Sequence, residues 1–199
     1  MARPATVLDT APQMFKRSAR IPVRGSHWWR IHAGVVRTIT WNYEGAVVPL
    51  GFWGQGSIVG AAVALVDHYD IQCLTPVMAV PLDSQYQLTA RVSAAHLQQA
   101  QQLLYILHSR RVDCRLMQFL QWLGMNLGYP VGQGWRLPFR PTHQEIAETI
   151  GSTRVTITRL LHQLVEEEQL VWSKQPHILP VNCDRQLIQL QGRMTSLGG

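Results

Sequence analysis

Residues 142–164 carry two apolar periodicities of helical spacing that meet at a single glycine, and few folds accommodate that arrangement. Thr142 and Glu145 stand three residues apart at the start of the first. That is the spacing of a capping box, in which the hydroxyl accepts the backbone N–H of the glutamate and the carboxylate reaches back to the N–H of the threonine. The helix so begun is expected to run to Ile150, where Gly151 can take the left-handed conformation that ends it. Ser152 or Thr153 then caps a second helix that continues through Leu164. Ile146, Ile150, Ile157, Leu160, Leu161 and Leu164 supply the apolar faces, and the small Ala147 lets the two axes approach. Two helices crossing steeply over a short turn meet these demands.

The outward face of the second helix is then Thr153, Arg154, Val155, Thr156, Thr158 and Arg159. An ordinary helical hairpin with two surface arginines is the competing reading. Such a hairpin has no reason to gather Arg, Val and Arg at the exposed start of one helix and keep acids away from it. Double-stranded DNA does give a reason. Arg154 and Arg159 can each donate two hydrogen bonds to guanine O6 and N7, and Val155 can touch a thymine methyl in the major groove. Thr142, Gln144, Thr153 and Thr156 can donate to backbone phosphates. Residues 169–172 and 177–179, around Pro176, read as a small hairpin beside this pair, the wing of a winged helix.

Upstream the pattern changes. From Phe15 to about Leu82 short runs alternate with turn residues, as in 29–32, 35–41 and 46–50, the last two separated by Asn42-Tyr43-Glu44-Gly45. Short strands at that spacing predict an antiparallel barrel or roll. Residues 1–14 show no periodicity and two prolines, and are expected to be poorly ordered. Over 93–110, Leu97, Ala100, Leu104 and Leu107 recur by three and four, a narrow seam at coiled-coil spacing. The seam fits either a helix facing its own core or a helix paired with its copy in a homodimer. Val112, Leu116, Phe119, Leu120 and Leu123 form a second, wider stripe, Gly124 to Gly134 a connection, and 136–139 a short strand. The expected organisation is a roll over 1–92, a dimerisation helix over 93–111 and a winged helix-turn-helix over 112–199, an α+β chain.

Charge is placed away from the helix pair. The chain carries +6 overall, with ten basic and five acidic residues in 1–112 but six of each in 138–199. DNA binding must therefore come from the placement of individual side chains, because bulk charge there is nil. The basic start (Arg3, Lys16, Arg17, Arg20, Arg24, Arg30, Arg37) offers either further phosphate contacts or a solvated face. With 46% apolar and 15% charged residues the chain suits packed structure rather than wholesale disorder. Cys73, Cys114 and Cys183 have no metal-ligand spacing and fit free thiols in a reducing cytoplasm. No secretory leader is evident, and the most apolar window, 51–66, is too short and glycine-rich to span a membrane. The expected location is cytoplasmic. No nucleophile–base pair, paired carboxylates or metal-ligand set stands out, so no enzyme is expected. A different class remains open: a signalling or interaction module, in which the roll binds a small molecule or protein and the helix pair docks a partner.

The run Ile150-Gly151-Ser152-Thr153-Arg154-Val155-Thr156-Ile157-Thr158-Arg159-Leu160-Leu161 resembles the Crp–Fnr family of transcription regulators, with its closest likeness to the cyanobacterial nitrogen-regulator (NtcA) branch. The resemblance continues upstream through 34–37, 54–60 and 74–77. It implies an N-terminal β-roll of cyclic-nucleotide-binding type, a long dimerisation helix that includes Leu97, Ala100, Leu104 and Leu107, and a C-terminal winged helix. It also implies that Arg154, Val155 and Arg159 read bases, that a homodimer takes an inverted repeat, and that RNA polymerase is a partner.

The resemblance departs at the effector segment. Cyclic-nucleotide-binding members carry a glutamate after the glycine that matches Gly60, and an arginine later for the phosphate. Here Ala61 follows, and neither arginine nor lysine occurs from Gly60 to Met78. A buried phosphate without a cation is strongly disfavoured, so cyclic AMP is not expected. The arginines of the 2-oxoglutarate-binding branch would fall near Asp67 and His96, and Asp67 and Asp70 would repel a dicarboxylate. That effector is not expected either. There is no N-terminal cysteine cluster for iron–sulfur, and His68 alone reads as structural rather than as a haem ligand. Trp28, Trp29, Trp41 and Trp53 are expected to pack the roll, and Trp122, Trp135 and Trp172 the second domain.

Overall fold

Alternation of apolar and polar side chains along short runs builds the first half of the chain into strands. In the computed structural model, which describes residues 11–23, 28–61, 66, 68–82 and 89–178, these are β1 (Gln13–Phe15), β2 (Arg20–Ile21), β3 (Trp28–Ala33), β4 (Val36–Trp41), β5 (Val47–Trp53), β6 (Ile58–Gly60), β7 (Asp70–Cys73) and β8 (Val77–Pro81). They form two four-stranded antiparallel sheets, ordered β1-β8-β3-β6 and β2-β7-β4-β5. Trp29, Ile31, Val59, Val77 and Ala79 from the first sheet pack with Ile21, Val36, Trp53, Ile71 and Cys73 from the second in one core. Strand β7 shows the logic: Ile71 and Cys73 are buried while Asp70 and Gln72 are only half-buried, as period-two alternation requires.

The roll corrects one expectation and divides another. Residues 13 and 14 belong to β1, which pairs with β8 from Gln13↔Ala79 to Phe15↔Val77; β8 supplies a pairing partner that the segment's own pattern does not announce. The basic start divides: Lys16, Arg17 and Arg20 are exposed, as on a solvated face, whereas Arg30 is half-buried and Arg37 is drawn into the roll. Arg37 is 4% exposed and its Nε donates to Gln72 Oε1 at 2.8 Å. Arg17 donates to the Leu74 carbonyl at 2.6 Å. Arg20 pairs with Asp70 at 2.9 Å and lies over the Trp41 ring. Arg3 and Arg24 lie outside the described residues. Trp28, Trp29 and Trp53 are buried, as expected of packing residues.

Helix α1 (Ala90–Leu107) docks one stripe on the roll. His96 bonds the Ile58 carbonyl through Nε2 at 2.9 Å and its ring lies 4.0 Å from that of Trp53. Three residues on, Gln99 closes the open edge of β5: it donates to the Phe52 carbonyl at 2.6 Å and accepts from the Phe52 amide at 2.7 Å. An unpaired strand edge is a liability in any sheet, and a side-chain amide satisfies both backbone groups here.

The chain divides into two compact units, Met1–Leu104 and Tyr105–Gly199, within α1. In the second, α2 (Val112–Leu127) is followed by β9 (Tyr129–Val131), β10 (Gly134–Arg136), α3 (His143–Ile150), α4 (Arg154–Glu166), β11 (Leu170–Val171) and β12 (His177–Ile178). The four strands make a third antiparallel sheet, ordered β11-β12-β10-β9. Leu116, Phe119, Leu120, Trp122 and Leu123 of α2 are buried, as the second stripe predicts.

Three local features differ from the sequence reading. Residues 108–111 break the helix without glycine or proline: the Ser109 hydroxyl donates to Gln118 Oε1 at 2.7 Å, Arg115 donates to the Ser109 carbonyl at 3.1 Å, and Arg111 takes an extended conformation at the start of α2. Gly124 does not open a connection; α2 continues through it. A Cβ on Gly124 would sit 2.6 Å from Cβ of Trp135, so this glycine serves close approach of helix and strand rather than a stop. The strand expected at 136–139 lies instead at Gly134–Arg136, in a hairpin with β9 turned by Gly132 at φ +58°. No helix among the described residues is long and apolar enough to cross a membrane.

Candidate nucleic-acid interface

The helix pair forms as its caps dictate. Thr142 Oγ1 accepts from the Glu145 amide at 3.1 Å, and the Thr142 amide donates to Glu145 Oε2 at 2.7 Å, both halves of the capping box. Gly151 is left-handed at φ 62°, ψ 57°, and the Ser152 amide closes on the Ala147 carbonyl at 3.0 Å. Of the two candidate caps for α4, Thr153 is the one used: its Oγ1 accepts from the Thr156 amide at 3.2 Å. Arg115 of α2 holds the turn by donating to the Gly151 carbonyl at 3.2 Å. Ile146, Ala147 and Ile150 pack against Ile157, Leu160, Leu161 and Leu164, all buried.

With that face buried, geometry fixes what α4 presents outward. At about 100° per residue, Val155 and Arg159 lie nearly opposite the buried stripe, and Arg154 flanks it in the first turn. Val155 is 79% exposed, and Arg154 and Arg159 are exposed. Among the described residues no carboxylate pairs with either arginine, and no acid stands in the first turn of α4. An exposed valine between two arginines at the positive end of a helix dipole suits an anionic groove with base edges and thymine methyls.

The expected phosphate contacts divide. The hydroxyls of Thr153 and Thr156 lie 2.9 Å apart on the exposed first turn, and Thr142 is exposed at the start of α3. Gln144, by contrast, gives its amide to Glu148 Oε1 at 3.0 Å. Thr158 is not outward. Its hydroxyl donates to the Arg154 carbonyl at 2.9 Å and bonds His143 Nδ1 at 2.7 Å, so it joins the two helices. The wing is present as β11 and β12, paired Leu170↔Ile178 and Val171↔His177; Leu179 lies outside the described residues.

Sequence reasoning missed four residues on this side of the unit. Lys174 is exposed in the turn between β11 and β12, a basic residue at a hairpin tip that the pattern could have flagged. His162 falls on the outward face of α4 one turn beyond Arg159. His143 begins α3, and Arg140 stands over the Trp172 ring at 5.2 Å; no spacing rule marks these two. Burial holds the His143 imidazole below the usual histidine range, and the nearby positive charges of Arg140, Arg154 and His162 push it the same way.

Known proteins share these features. Residues 114–185 match the family of Crp-like helix-turn-helix domains. The chain is 36% identical over 163 residues to the regulatory protein CysR of Synechococcus elongatus, covering 79% of each chain. It is 27% identical over 196 residues to the global nitrogen regulator of a Nostoc species, covering 87% of this chain and 88% of that one. A solved transcriptional regulator of the Crp/Fnr family from Thermus thermophilus shares the fold with a TM-score of 0.68 at 22% identity, over 92% of this chain and 98% of that one. The roll, the helix pair with its wing and the relatives matched over most of their length agree: the chain belongs to the Crp–Fnr family of DNA-binding transcription regulators.

Proposed function

We propose that this regulator works as a homodimer on an inverted-repeat DNA site, reads bases with Arg154, Val155 and Arg159, and binds DNA without cyclic AMP or 2-oxoglutarate as effector. The observation that carries the dimer is the division of labour on α1. Leu103 and Ile106 are buried, whereas Leu97, Leu104 and Leu107 are 61%, 57% and 41% exposed, and Ala100 between them is exposed too. Of the two readings of the seam, this favours pairing with a second copy: the stripe that faces the chain's own core is the neighbouring one. Two recognition helices related by a two-fold axis take half-sites about one helical turn, roughly 34 Å, apart. From side-chain chemistry each half-site contains G and T. Thr142, Thr153 and Thr156 are the backbone donors. Gln144 joins them when its amide leaves Glu148.

The effector reading rests on what occupies the relevant side chains. His96, near where the resemblance puts a 2-oxoglutarate-binding arginine, is committed to the Ile58 carbonyl and the Trp53 ring. Burial holds it below the usual histidine range, toward the neutral form. Asp70 is paired with Arg20, and Ala61 leaves the ribose of a cyclic nucleotide without its carboxylate. Asp67 lies outside the described residues. The protein acts in the cytoplasm, with RNA polymerase as a further partner and no catalytic activity of its own.

Selection of bound sites from random duplexes at fixed salt tests this, with Arg154→Ala alongside. The native chain is expected to enrich an inverted repeat, and the variant to lose preference at one guanine by about 1–3 kcal/mol. An unchanged preference in the variant overturns the assignment of Arg154. A tenfold gain in DNA affinity on adding cyclic AMP or 2-oxoglutarate overturns the effector reading.

A further inference from the structure

We propose that Arg140, His143 and His162 form a site for a DNA backbone phosphate whose occupancy is governed by protonation of His143, making DNA affinity fall as pH rises through neutrality. The proposal rests on the DNA-binding reading of the helix pair. The three side chains line an open cleft of about 280 Å³, together with Leu161, Val165 and Trp172. It lies between the first turn of α3, the flank of α4 and the start of the wing. The cleft is at or below the usual range for small-molecule pockets, about 300–1,000 Å³, and is open to solvent, so a phosphodiester on an extended backbone suits it better than an enclosed ligand. On α4, His162 stands about 20° from Val155 around the helix axis. The cleft therefore adjoins the face that meets the groove.

Hydrogen bonding decides what His143 offers there. The Thr158 hydroxyl proton goes to the Arg154 carbonyl, so in the bond between Thr158 Oγ1 and His143 Nδ1 the imidazole is the donor. That leaves Nε2. On a neutral ring it is a lone pair, which repels a phosphate oxygen. On a protonated ring it is a charged N–H, which binds one. The groups around His143 set the sense of the switch. Arg140 approaches from the chain before α3, and Arg154 and His162 from α4. The uncharged Trp172 faces it from the wing. Glu166 is the one carboxylate in the cleft lining. Without DNA the cations and burial oppose protonation of His143; a phosphate reverses that balance and favours it. Binding therefore takes up protons, and affinity is greatest at low pH and lost as pH rises through the bound-state titration.

The test is fluorescence anisotropy with a random-sequence duplex at fixed salt between about pH 5.5 and 8.5, a range spanning histidine titration. A phosphate contact needs no cognate site. The native chain is expected to weaken with rising pH by up to about tenfold per unit for each linked proton. His143→Asn, which keeps a donor for Thr158, is expected to flatten the profile, and Arg140→Ala to lower affinity across the range. His143→Arg is expected to hold the low-pH affinity at about pH 8 and flatten the profile too. A flat native profile, or a His143→Asn variant that folds and keeps the native slope, overturns the proposal while leaving the DNA-binding reading intact. Absence of binding to any duplex at any pH overturns both.

Discussion

Replacing Leu104 by alanine is expected to weaken self-association of the chain by about 30- to 150-fold. Leu104 keeps 57% of its surface exposed in the single chain. Burying a leucine in full is worth about 1.5–3 kcal/mol, so covering the remainder contributes about 1–1.5 kcal/mol per copy. In a two-fold dimer both copies are covered, giving about 2–3 kcal/mol, and each 1.4 kcal/mol is a tenfold change in the dissociation constant. Leu103, the preceding residue, supplies the contrast. It is 5% exposed, so Leu103→Ala removes core packing and costs about 2–5 kcal/mol of folding stability. Sedimentation equilibrium reads the first effect and urea unfolding of the dissociated chain the second. Leu104→Ala is expected to shift association with little change in monomer unfolding, and to weaken binding to an inverted repeat more than to a lone half-site. A dimer constant equal to the native one, or a loss of monomer stability like that of Leu103→Ala, refutes the assignment of this stripe to the dimer.

Two further outcomes follow from the cap and the core. Thr142→Ala removes the hydroxyl half of the capping box and is expected to cost about 0.5–2 kcal/mol, read as a lower midpoint in urea, with Thr142→Ser restoring most of it. Burial pushes the Cys73 thiol up to about 11; a raised value means that the folded state holds the proton longer than the unfolded one, so stability is full below about pH 9 and declines as pH climbs towards 11. Cys73→Ala is expected to flatten that alkaline decline in thermal melts, and an unchanged decline would show that another group carries it.

What was legible in the sequence follows the range of the interactions. The helix pair was readable nearly to the residue because its determinants are local: a hydroxyl and a carboxylate three apart, a left-handed glycine, and aliphatics at three and four. The roll was readable as strands and turns, since alternation and Asn42-Tyr43-Glu44-Gly45 are also local. Pairing partners were not. Strand β1 exists because β8 offers an edge to Gln13–Phe15. The helix runs through Gly124 because Trp135 packs there. Arg37 is buried because Gln72 lies opposite it across β4 and β7. Within the interface the same division holds. Arg154, Val155 and Arg159 follow from helical phase alone, whereas the turning of Thr158 toward His143 depends on where α3 begins in space, and no spacing within α4 encodes that.

The placement of charge explains how a helix-turn-helix with no net charge can orient on DNA. Residues 138–199 carry six basic and six acidic residues, so this segment has little reason to be drawn to a polyanion as a whole. The two signs are separated along α4. Arg154 and Arg159 occupy its first half, where the dipole is positive, and Arg140 lies close to His143 at the start of α3. Glu166, Glu167 and Glu168 gather at the other end. Acids at a helix C-terminus are unfavourable for the helix itself, since they face the negative end of its dipole. Glu167 and Glu168, beyond the cleft that Glu166 borders, nevertheless make this the less favourable end of the recognition helix for approach to phosphates. Attraction is thereby limited and orientation favoured: a misaligned encounter brings carboxylates against the backbone and is short-lived, and an aligned one presents Arg154, Val155 and Arg159, the proposed base-reading side chains, to the groove. Adding basic residues at 166–168 is therefore expected to raise affinity for all duplexes while lowering discrimination among them, because it strengthens a sequence-independent term without touching the side chains proposed to read bases.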